Sequence, residues 1–269
     1  MTTDQTINNF SKIAVIIGLI ALTQSLLAMA GIFTIVQTSH ERIIFGLIEL
    51  ATMMLVIINS IAIMKFTGQL HNPLAYSISR LCLYSLLLCF IGDIVNRNFL
   101  QQFYQYDDLI KHSYLADSVI FFFPGYLILV VAIAKLAIVK GLPKTIIILS
   151  AILAAIVATF TYNDMHLAGS SIPLTIMTSC YSVLVSILAV SAIWLVKSFA
   201  WKNAPIRIWL AAIGLVLAMI ADAVIGKFWI FGNQGQGYFP TVSHINWIIY
   251  LSSQLLIQQL PLGMLQAKK

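Results

Sequence analysis

The sequence predicts an all-α integral membrane protein whose eight transmembrane helices form two parallel four-helix repeats within a single membrane domain, residues 1–269. Three observations predict this class. Of the 269 residues, 60% are hydrophobic and only 9% are charged, with a mean hydropathy of +0.95, which is unlike a soluble globular domain. Apolar segments of about 20 residues, enough to cross a ~30 Å hydrocarbon core as helices, recur along the chain. The two halves of the chain also resemble each other, which predicts the repeat.

Eight apolar segments account for nearly the whole length and leave no stretch for a soluble domain. They cover approximately residues 13–36, 43–64, 74–96, 115–139, 144–162, 173–199, 206–231 and 244–265. The first segment has a second interpretation, because Lys12, a short apolar run and the small residues of Ala28–Ala30 also fit a cleaved signal peptide. Cleavage there would leave seven helices. All three cysteines fall inside predicted helices, so neither a disulfide framework nor a cysteine-based metal site is indicated.

Basic residues predict the orientation of the helices. The net charge is +6, but Lys and Arg are spread over short loops instead of forming the runs typical of nucleic-acid binding. If the N-terminus is cytoplasmic, eleven of the 15 Lys and Arg residues fall on the cytoplasmic side, as the positive-inside rule requires. We therefore predict that both termini lie in the cytoplasm and that the protein resides in the cytoplasmic (inner) membrane.

An internal repeat appears when the sequence is aligned with itself at an offset of 129 residues. This register pairs Asp93 with Asp222 and Phe99 with Phe228, with a valine two positions after each aspartate. It places the first four helices, about residues 13–139, on the last four, about residues 144–265. Because each half has an even number of spans, the repeats would be parallel. The third and seventh helices then run in the same direction, and the two aspartates are expected at similar depth, facing one shared cavity.

Asp93 and Asp222 are the predicted catalytic residues. An ionised carboxylate costs about 2.5–3.5 kcal/mol to insert at the centre of a membrane helix, so such a residue normally faces a wet cavity or a partner. The alternative is a structural role, in which Asp93 pairs locally with Arg97 one turn away. Two carboxyl groups in different environments suit acid–base chemistry, but they also suit cation binding or a proton relay. The residue pattern leaves the reaction open.

Further polar residues on the non-cytoplasmic side are candidates for binding a substrate. A guanidinium can hold two phosphate oxygens, a carboxylate or a tyrosine face can hold an ammonium group, and tyrosines within spans either anchor a headgroup or belong to the interfacial aromatic belt. The predicted binding residues are Arg97, Asp117, Tyr126, Tyr181, Tyr250 and Gln254. No metal is predicted, because the histidines lack ligand spacing, and no cofactor is predicted. The glycine-rich segment 231–240 reads as an outer loop that could act as a lid.

Several short motifs resemble those of the YhhN family, the lysoplasmalogenases. They are Gly92-Asp93 in the third helix, Ala221-Asp222 followed by Phe228 in the seventh, and a Tyr250 to Ile257 segment with Gln254 in the eighth. The resemblance implies an eight-helix membrane hydrolase that cleaves the vinyl ether bond of a lysoplasmalogen to a fatty aldehyde and a glycerophospho-alcohol. This chain departs from the family pattern, with Ala221 where a serine is usual, and with Pro124 and Tyr126 in a changed fourth-helix motif.

Two other function classes stay open. The segments around Asp93 and Tyr126 also resemble the membrane halves of multi-pass bacterial sensors, which would make this chain a ligand-binding module that needs a separate output partner. The repeat is also compatible with a small-solute carrier. A membrane lipid is the predicted partner of the hydrolase and nucleic acid is not expected, while the sequence does not specify an oligomeric state.

Overall fold

The computed structural model describes residues 2–32, 39–97, 99, 104–105, 109–110, 112–164, 172–231 and 240–267. Nearly all of these residues are helical. The helices are α1 Thr3–Met29, α2 Ser39–Gln69, α3 Pro73–Arg97, α4 His112–Val139, α5 Lys144–Asp164, α6 Ile172–Ser198, α7 Ile206–Ile225, α8 Pro240–Ile257 and α9 Gln259–Gln266. A π-helical turn, Gly226–Phe231, continues α7. Between α3 and α4, the two-residue strands β1 Tyr104–Gln105 and β2 Leu109–Ile110 pair antiparallel.

Within the described part of the chain, eight helical segments are long and apolar enough to cross a membrane, which agrees with the predicted number. Each of α1 to α7 contributes one segment, and α8 and α9 together form the eighth, Thr241–Gln266. Large apolar side chains also cover outward-facing surfaces. On α5, for example, Leu149 and Leu153 are each 62% exposed and Phe160 is 70% exposed. The apolar residues that predicted the spans are therefore used both inside and outside the bundle.

The predicted bounds of the first span, residues 13–36, are wrong at both ends. The helix α1 already begins at Thr3, because Thr2 and Gln5 form a capping box in which each side chain accepts a hydrogen bond from the other's backbone, at 3.3 and 3.0 Å. It ends at Met29, where Gly31 has a φ of +82° and the amide of Ile32 donates to the carbonyl of Leu27. Hydropathy alone misses a polar first turn that side-chain capping holds helical.

The helices pack as a closed ring. Around this ring, α1 packs on α2, α2 on α3 and α3 on α4. The ring continues with α4 on α6, α6 on α7 and α7 on α8, and it closes where α8 packs on α1. The helix α5 packs on α6 and is the least buried of the eight spans. Within each half, every helix therefore contacts the next one along the sequence. The parallel repeat itself stays a prediction.

Two close helix approaches occur at positions that the 129-residue register relates. In α4, a Cβ on Gly125 would lie 3.1 Å from the backbone oxygen of Ser85 in α3. In α7, a Cβ on Gly214 would lie 2.8 Å from the backbone oxygen of Ser253 in α8. The register pairs Ser85 with Gly214, and Gly125 with Gln254, the neighbour of Ser253. Both helix pairs thus cross closely at one level, with the glycine on opposite members.

A polar network joins α1, α7 and α9 at the end of the bundle where α7 begins. Arg207 is 9% exposed and donates from Nε to Oγ of Ser11 at 3.1 Å and from a terminal nitrogen to Oδ1 of Asn8 at 2.8 Å. It also donates to Gln266. Ser11 in turn donates to Gln259 at 2.8 Å. These contacts satisfy a buried guanidinium and hold the first turns of α1 against the bundle.

Candidate functional site

Asp93 is buried near the end of α3, with 6% of its surface exposed. Its Oδ2 accepts a hydrogen bond of 2.9 Å from the phenol of Tyr250 in α8. Next to it, Gly92 lets α3 approach the ring of Phe122 in α4, where a Cβ would lie only 2.8 Å from the ring edge. A larger residue at Gly92 would push α4 away from the aspartate. The family-like Gly92-Asp93 pair therefore has a packing reason.

Asp222 lies in the last turn of α7 and is half-buried. It interacts electrostatically with the phenols of Tyr126 in α4 and Tyr181 in α6. The two tyrosine rings stack at 6.2 Å with an interplanar angle of 14°. However, Oδ2 of Asp222 and both phenolic oxygens are buried and have no hydrogen-bond partner among the described residues. The carboxyl group therefore interacts with both phenols, although these contacts do not meet strict hydrogen-bond geometry.

Asp222 contributes, as the smallest of several groups, to the electrostatic environment of Asp93. Cys89, fully buried in α3, interacts electrostatically with both. Phe122 packs against Tyr250 on the Asp93 side and against Tyr126 on the other, with ring centroids 6.1 and 6.2 Å apart. Neither carboxyl group faces the outer surface of the bundle. An aromatic ring is therefore packed between the tyrosines that lie beside the two carboxyl groups, and the proximity of the carboxyl groups themselves stays a prediction.

A second cluster lies on the α2 side of Asp93. The side chain of Arg97, at the end of α3, forms an ion pair with Glu49 of α2, which is 2% exposed. The guanidinium also lies over the ring of Trp247 in α8, 5.4 Å from its centroid. Nearby in α8, His244 packs edge-on against Phe45 at 5.3 Å. The sequence does not predict that Glu49 is the partner of Arg97.

A cavity of about 350 Å³ borders Asp222. It lies between α4, α5, α6 and α7, and its lining is mostly apolar with a few hydroxyl groups, including those of Ser182 and Tyr181. It reaches the surface between α5 and α7, where the lining residues Val157 and Ala223 are exposed. Asp93 does not line it. The described residues thus give the cavity one carboxyl group instead of the shared pair that the sequence predicted.

Gln254 and Asp117 are the predicted binding residues that lie outside these two clusters. Gln254 is buried in α8 at 4% exposure, and its amide nitrogen has no hydrogen-bond partner among the described residues. Asp117 lies in α4, but its side chain is outside the described part of the chain, as is most of the glycine-rich segment. Among the side chains that the structure describes, no three His, Cys, Asp or Glu residues form a group that could hold a metal ion.

Comparisons with known proteins give no relative for this chain: no protein-family model, no curated protein and no solved structure matches it. The resemblance to the YhhN family therefore depends on the short motifs alone and stays a prediction. Arguments about function depend on the geometry of the two aspartates and their surroundings.

Proposed function

We propose that this chain is a multi-pass protein of the cytoplasmic membrane, with both termini cytoplasmic, that hydrolyses the vinyl ether bond of lysoplasmalogens. The eight apolar helices support the membrane location, and the YhhN-like motifs suggest the reaction. The observation that carries the proposal is that two aspartates, Asp93 and Asp222, lie inside the bundle of apolar helices, each beside tyrosine side chains. Carboxyl groups enclosed in this way cost free energy to insert into a membrane. Residues of this kind therefore mark functional sites by default.

Vinyl ether hydrolysis needs an acid and a base at adjacent points, which two carboxyl groups can supply. A protonated carboxyl transfers its proton to the vinyl carbon farther from the ether oxygen, and the C=C electron pair forms the new C–H bond. The resulting oxocarbenium ion is stabilised by the second, ionised carboxylate. That carboxylate removes a proton from the water that adds to the cationic carbon. The hemiacetal then collapses: the second carboxyl gives its new proton to the glycerol oxygen as the C–O bond breaks, and the first carboxyl, now ionised, takes the hemiacetal O–H proton, so that both return to their starting states.

Asp222 is the better candidate for the acid in this scheme. Asp222 borders the cavity, whereas Asp93 does not line it and accepts a hydrogen bond from Tyr250. The cavity volume of about 350 Å³ lies in the range of small-molecule sites, roughly 300–1,000 Å³. Its apolar lining and its opening between α5 and α7 suit a lipid with one chain that enters sideways from the bilayer.

The decisive experiment measures aldehyde release by the purified protein from a lysoplasmalogen. Asp93→Asn and Asp222→Asn should each abolish turnover while the protein remains folded, because an amide keeps the shape of the carboxyl but cannot transfer its proton. Asp4→Asn, which changes an exposed carboxylate in the first turn of α1, is the matched control and should retain full activity. A saturated ether lipid with the same headgroup should not be cleaved. Undiminished turnover in both active-site variants would refute the mechanism.

A ligand-binding sensory module is the second candidate, and one observation favours it. Asp222, Tyr126 and Tyr181 present three buried oxygens without a well-formed hydrogen bond in the described structure, as a site that binds a polar ligand without reacting would also do. The same assay separates the two functions. A wild-type protein that binds the lipid but releases no aldehyde would exclude the hydrolase and support the sensor.

A further inference from the structure

We infer that the first half of the chain contains a second, closed copy of the Asp222 cavity, filled by the protein's own Arg97 side chain, so that each chain binds one lipid. The inference rests on the proposed function for the nature of the ligand. It rests on the 129-residue register and on the Glu49–Arg97–Trp247 contacts for the existence of the closed copy.

The register relates the three members of the Arg97 cluster to three residues that line the cavity. It pairs Glu49 with Thr178, Arg97 with Gly226, and Trp247 with Ser118; Thr178, Gly226 and Ser118 all line the Asp222 cavity. In each pair the residue of the closed copy is much larger than its counterpart. The same three places in the helix framework are therefore open beside Asp222 and filled beside Asp93.

The contacts within the cluster account for how the space is filled. The guanidinium of Arg97 lies against the carboxylate of Glu49 and over the indole face of Trp247. Glu49 and Trp247 are 2% and 5% exposed and the Arg97 side chain is 26% exposed, so the cluster fills the space from the buried carboxylate outward to the surface. Met53, one turn along α2 from Glu49, is completely buried in the same apolar cluster as Trp247. Its register partner, Ser182, lines the open cavity.

Stability alone does not explain a buried ion pair at this position. Removing two charges from water costs several kcal/mol per ion, and hydrophobic residues of similar size usually serve folding as well or better. Filling the space beside Asp93 gives the Glu49–Arg97 ion pair a function. Both residues are needed for it, because either charge would be unpaired if the other were absent. On this inference Arg97 has an internal partner, in contrast to the phosphate-binding role that the sequence predicts for it.

Thiol labelling tests the closed copy directly. In a Cys180→Ser background, which removes the exposed cysteine, Ser182→Cys and Met53→Cys each introduce one thiol at related positions. With N-ethylmaleimide and mass spectrometry, we expect the Ser182→Cys protein to be labelled and the Met53→Cys protein to remain unlabelled. Adding Glu49→Thr and Arg97→Gly, the residues of the open half, should make the Met53→Cys protein reactive. Labelling without these two changes, or none after them, would overturn the inference.

A reciprocal variant tests the inference without depending on whether the opened protein folds. Thr178→Glu with Gly226→Arg transfers the filling residues to the open half and should slow labelling of Ser182→Cys at least tenfold, with the thermal unfolding temperature measured alongside. If the opened variant does not fold, the labelling of the reciprocal variant decides whether the closed copy exists. Unchanged labelling of Ser182→Cys in a folded reciprocal variant would overturn the inference.

Lipid binding separates this inference from the proposed hydrolase. Lysophosphatidylethanolamine, which has one chain but no vinyl ether, should slow labelling of Ser182→Cys without being cleaved. If the labelling pattern holds but lysoplasmalogen releases no aldehyde, the hydrolase fails and the closed copy stands. If labelling contradicts the pattern while aldehyde is released, the closed copy fails and the hydrolase stands.

Discussion

The hydrogen bond from Tyr250 to Asp93 allows a quantitative test of the site, because the chain offers a matched control. Tyr250→Phe removes only the hydroxyl that donates to the buried carboxyl at 2.9 Å. The phenylalanine ring keeps the contacts with Phe122 and Trp247, at 6.1 and 6.0 Å between centroids. Tyr126→Phe removes a hydroxyl that is also buried and interacts with Asp222, but that does not meet hydrogen-bond geometry with it. The two variants therefore differ in one well-formed hydrogen bond.

The expected difference follows from the energetics of such bonds. A hydrogen bond to a charged group contributes about 1.5–3 kcal/mol, and one between neutral groups about 0.5–1.5 kcal/mol, while bonds between membrane helices average about 0.6 kcal/mol with a maximum near 1.7. We expect Tyr250→Phe to lower the free energy of unfolding by about 1–2 kcal/mol. Tyr126→Phe should change the free energy of unfolding by less than about 0.5 kcal/mol, or raise it, because it removes a buried polar atom that has no well-formed hydrogen bond.

Equilibrium unfolding in mixed micelles of a mild detergent and dodecyl sulfate, followed by circular dichroism, measures both values. A loss of about 1.4 kcal/mol is a tenfold change in the equilibrium constant, which such titrations resolve. In a double-mutant cycle with Asp93→Asn, the Tyr250→Phe change should couple to Asp93 and the Tyr126→Phe change should not. Equal destabilisation by both tyrosine variants, or coupling of Tyr126 alone, would refute this account of the site.

Two further predictions concern the helix framework. Gly214→Ala should lower the free energy of unfolding by about 1–3 kcal/mol in the same measurement, because the new methyl group would lie 2.8 Å from the backbone of Ser253 and overpack the α7–α8 crossing. Gly18→Ala, whose methyl group meets only the tip of a leucine side chain at 3.4 Å, is the control and should be neutral. Equal losses in the two variants would contradict this prediction. A reporter enzyme fused after Lys269 should be active only on the cytoplasmic side, and an external C-terminus would contradict the proposed orientation.

The sequence was sufficient to predict the helical segments, and the reason is composition. Continuous apolar stretches of about 20 residues have few other stable structures, so eight were predicted and eight are present in the described part of the chain. The start of α1 was not predicted, since it depends on a side-chain capping box at Thr2 and Gln5 instead of on hydropathy. Local hydrogen bonds extend a helix beyond the region that an apolar window detects.

The sequence identified the two aspartates as polar groups within apolar helices, but it did not predict their surroundings. The register that relates Asp93 to Asp222 pairs Tyr126 with Leu255 and Tyr250 with Phe121. It therefore gives no reason to place a tyrosine beside either carboxyl. The sequence identified these tyrosines as intramembrane candidates, yet which carboxyl each one faces depends on how the helices of the two halves pack across the ring.

The pairing of Arg97 with Glu49 shows the same limit. From the sequence, Arg97 has two evident partners, Asp93 one turn before it or a substrate phosphate. The ion pair to Glu49 forms instead between side chains of two neighbouring helices, and no local spacing encodes it. An acidic and a basic residue within apolar helices pair across the bundle because burying either charge alone costs free energy.

The two carboxyl groups end in unequal environments, and acid–base catalysis requires that inequality. Each aspartate faces a tyrosine from the last long helix of the other half: Asp93 in α3 faces Tyr250 in α8, and Asp222 in α7 faces Tyr126 in α4. In an exactly duplicated chain the two would be equivalent, and neither would be favoured as donor or acceptor of a proton. Here one accepts a hydrogen bond from Tyr250 beside a filled ion-pair cluster, and the other borders an open cavity. Different surroundings are what drive paired carboxyl groups to different protonation states, so on the proposed mechanism the contrast between the Tyr250 hydrogen bond and the open cavity is what would separate the acid from the base.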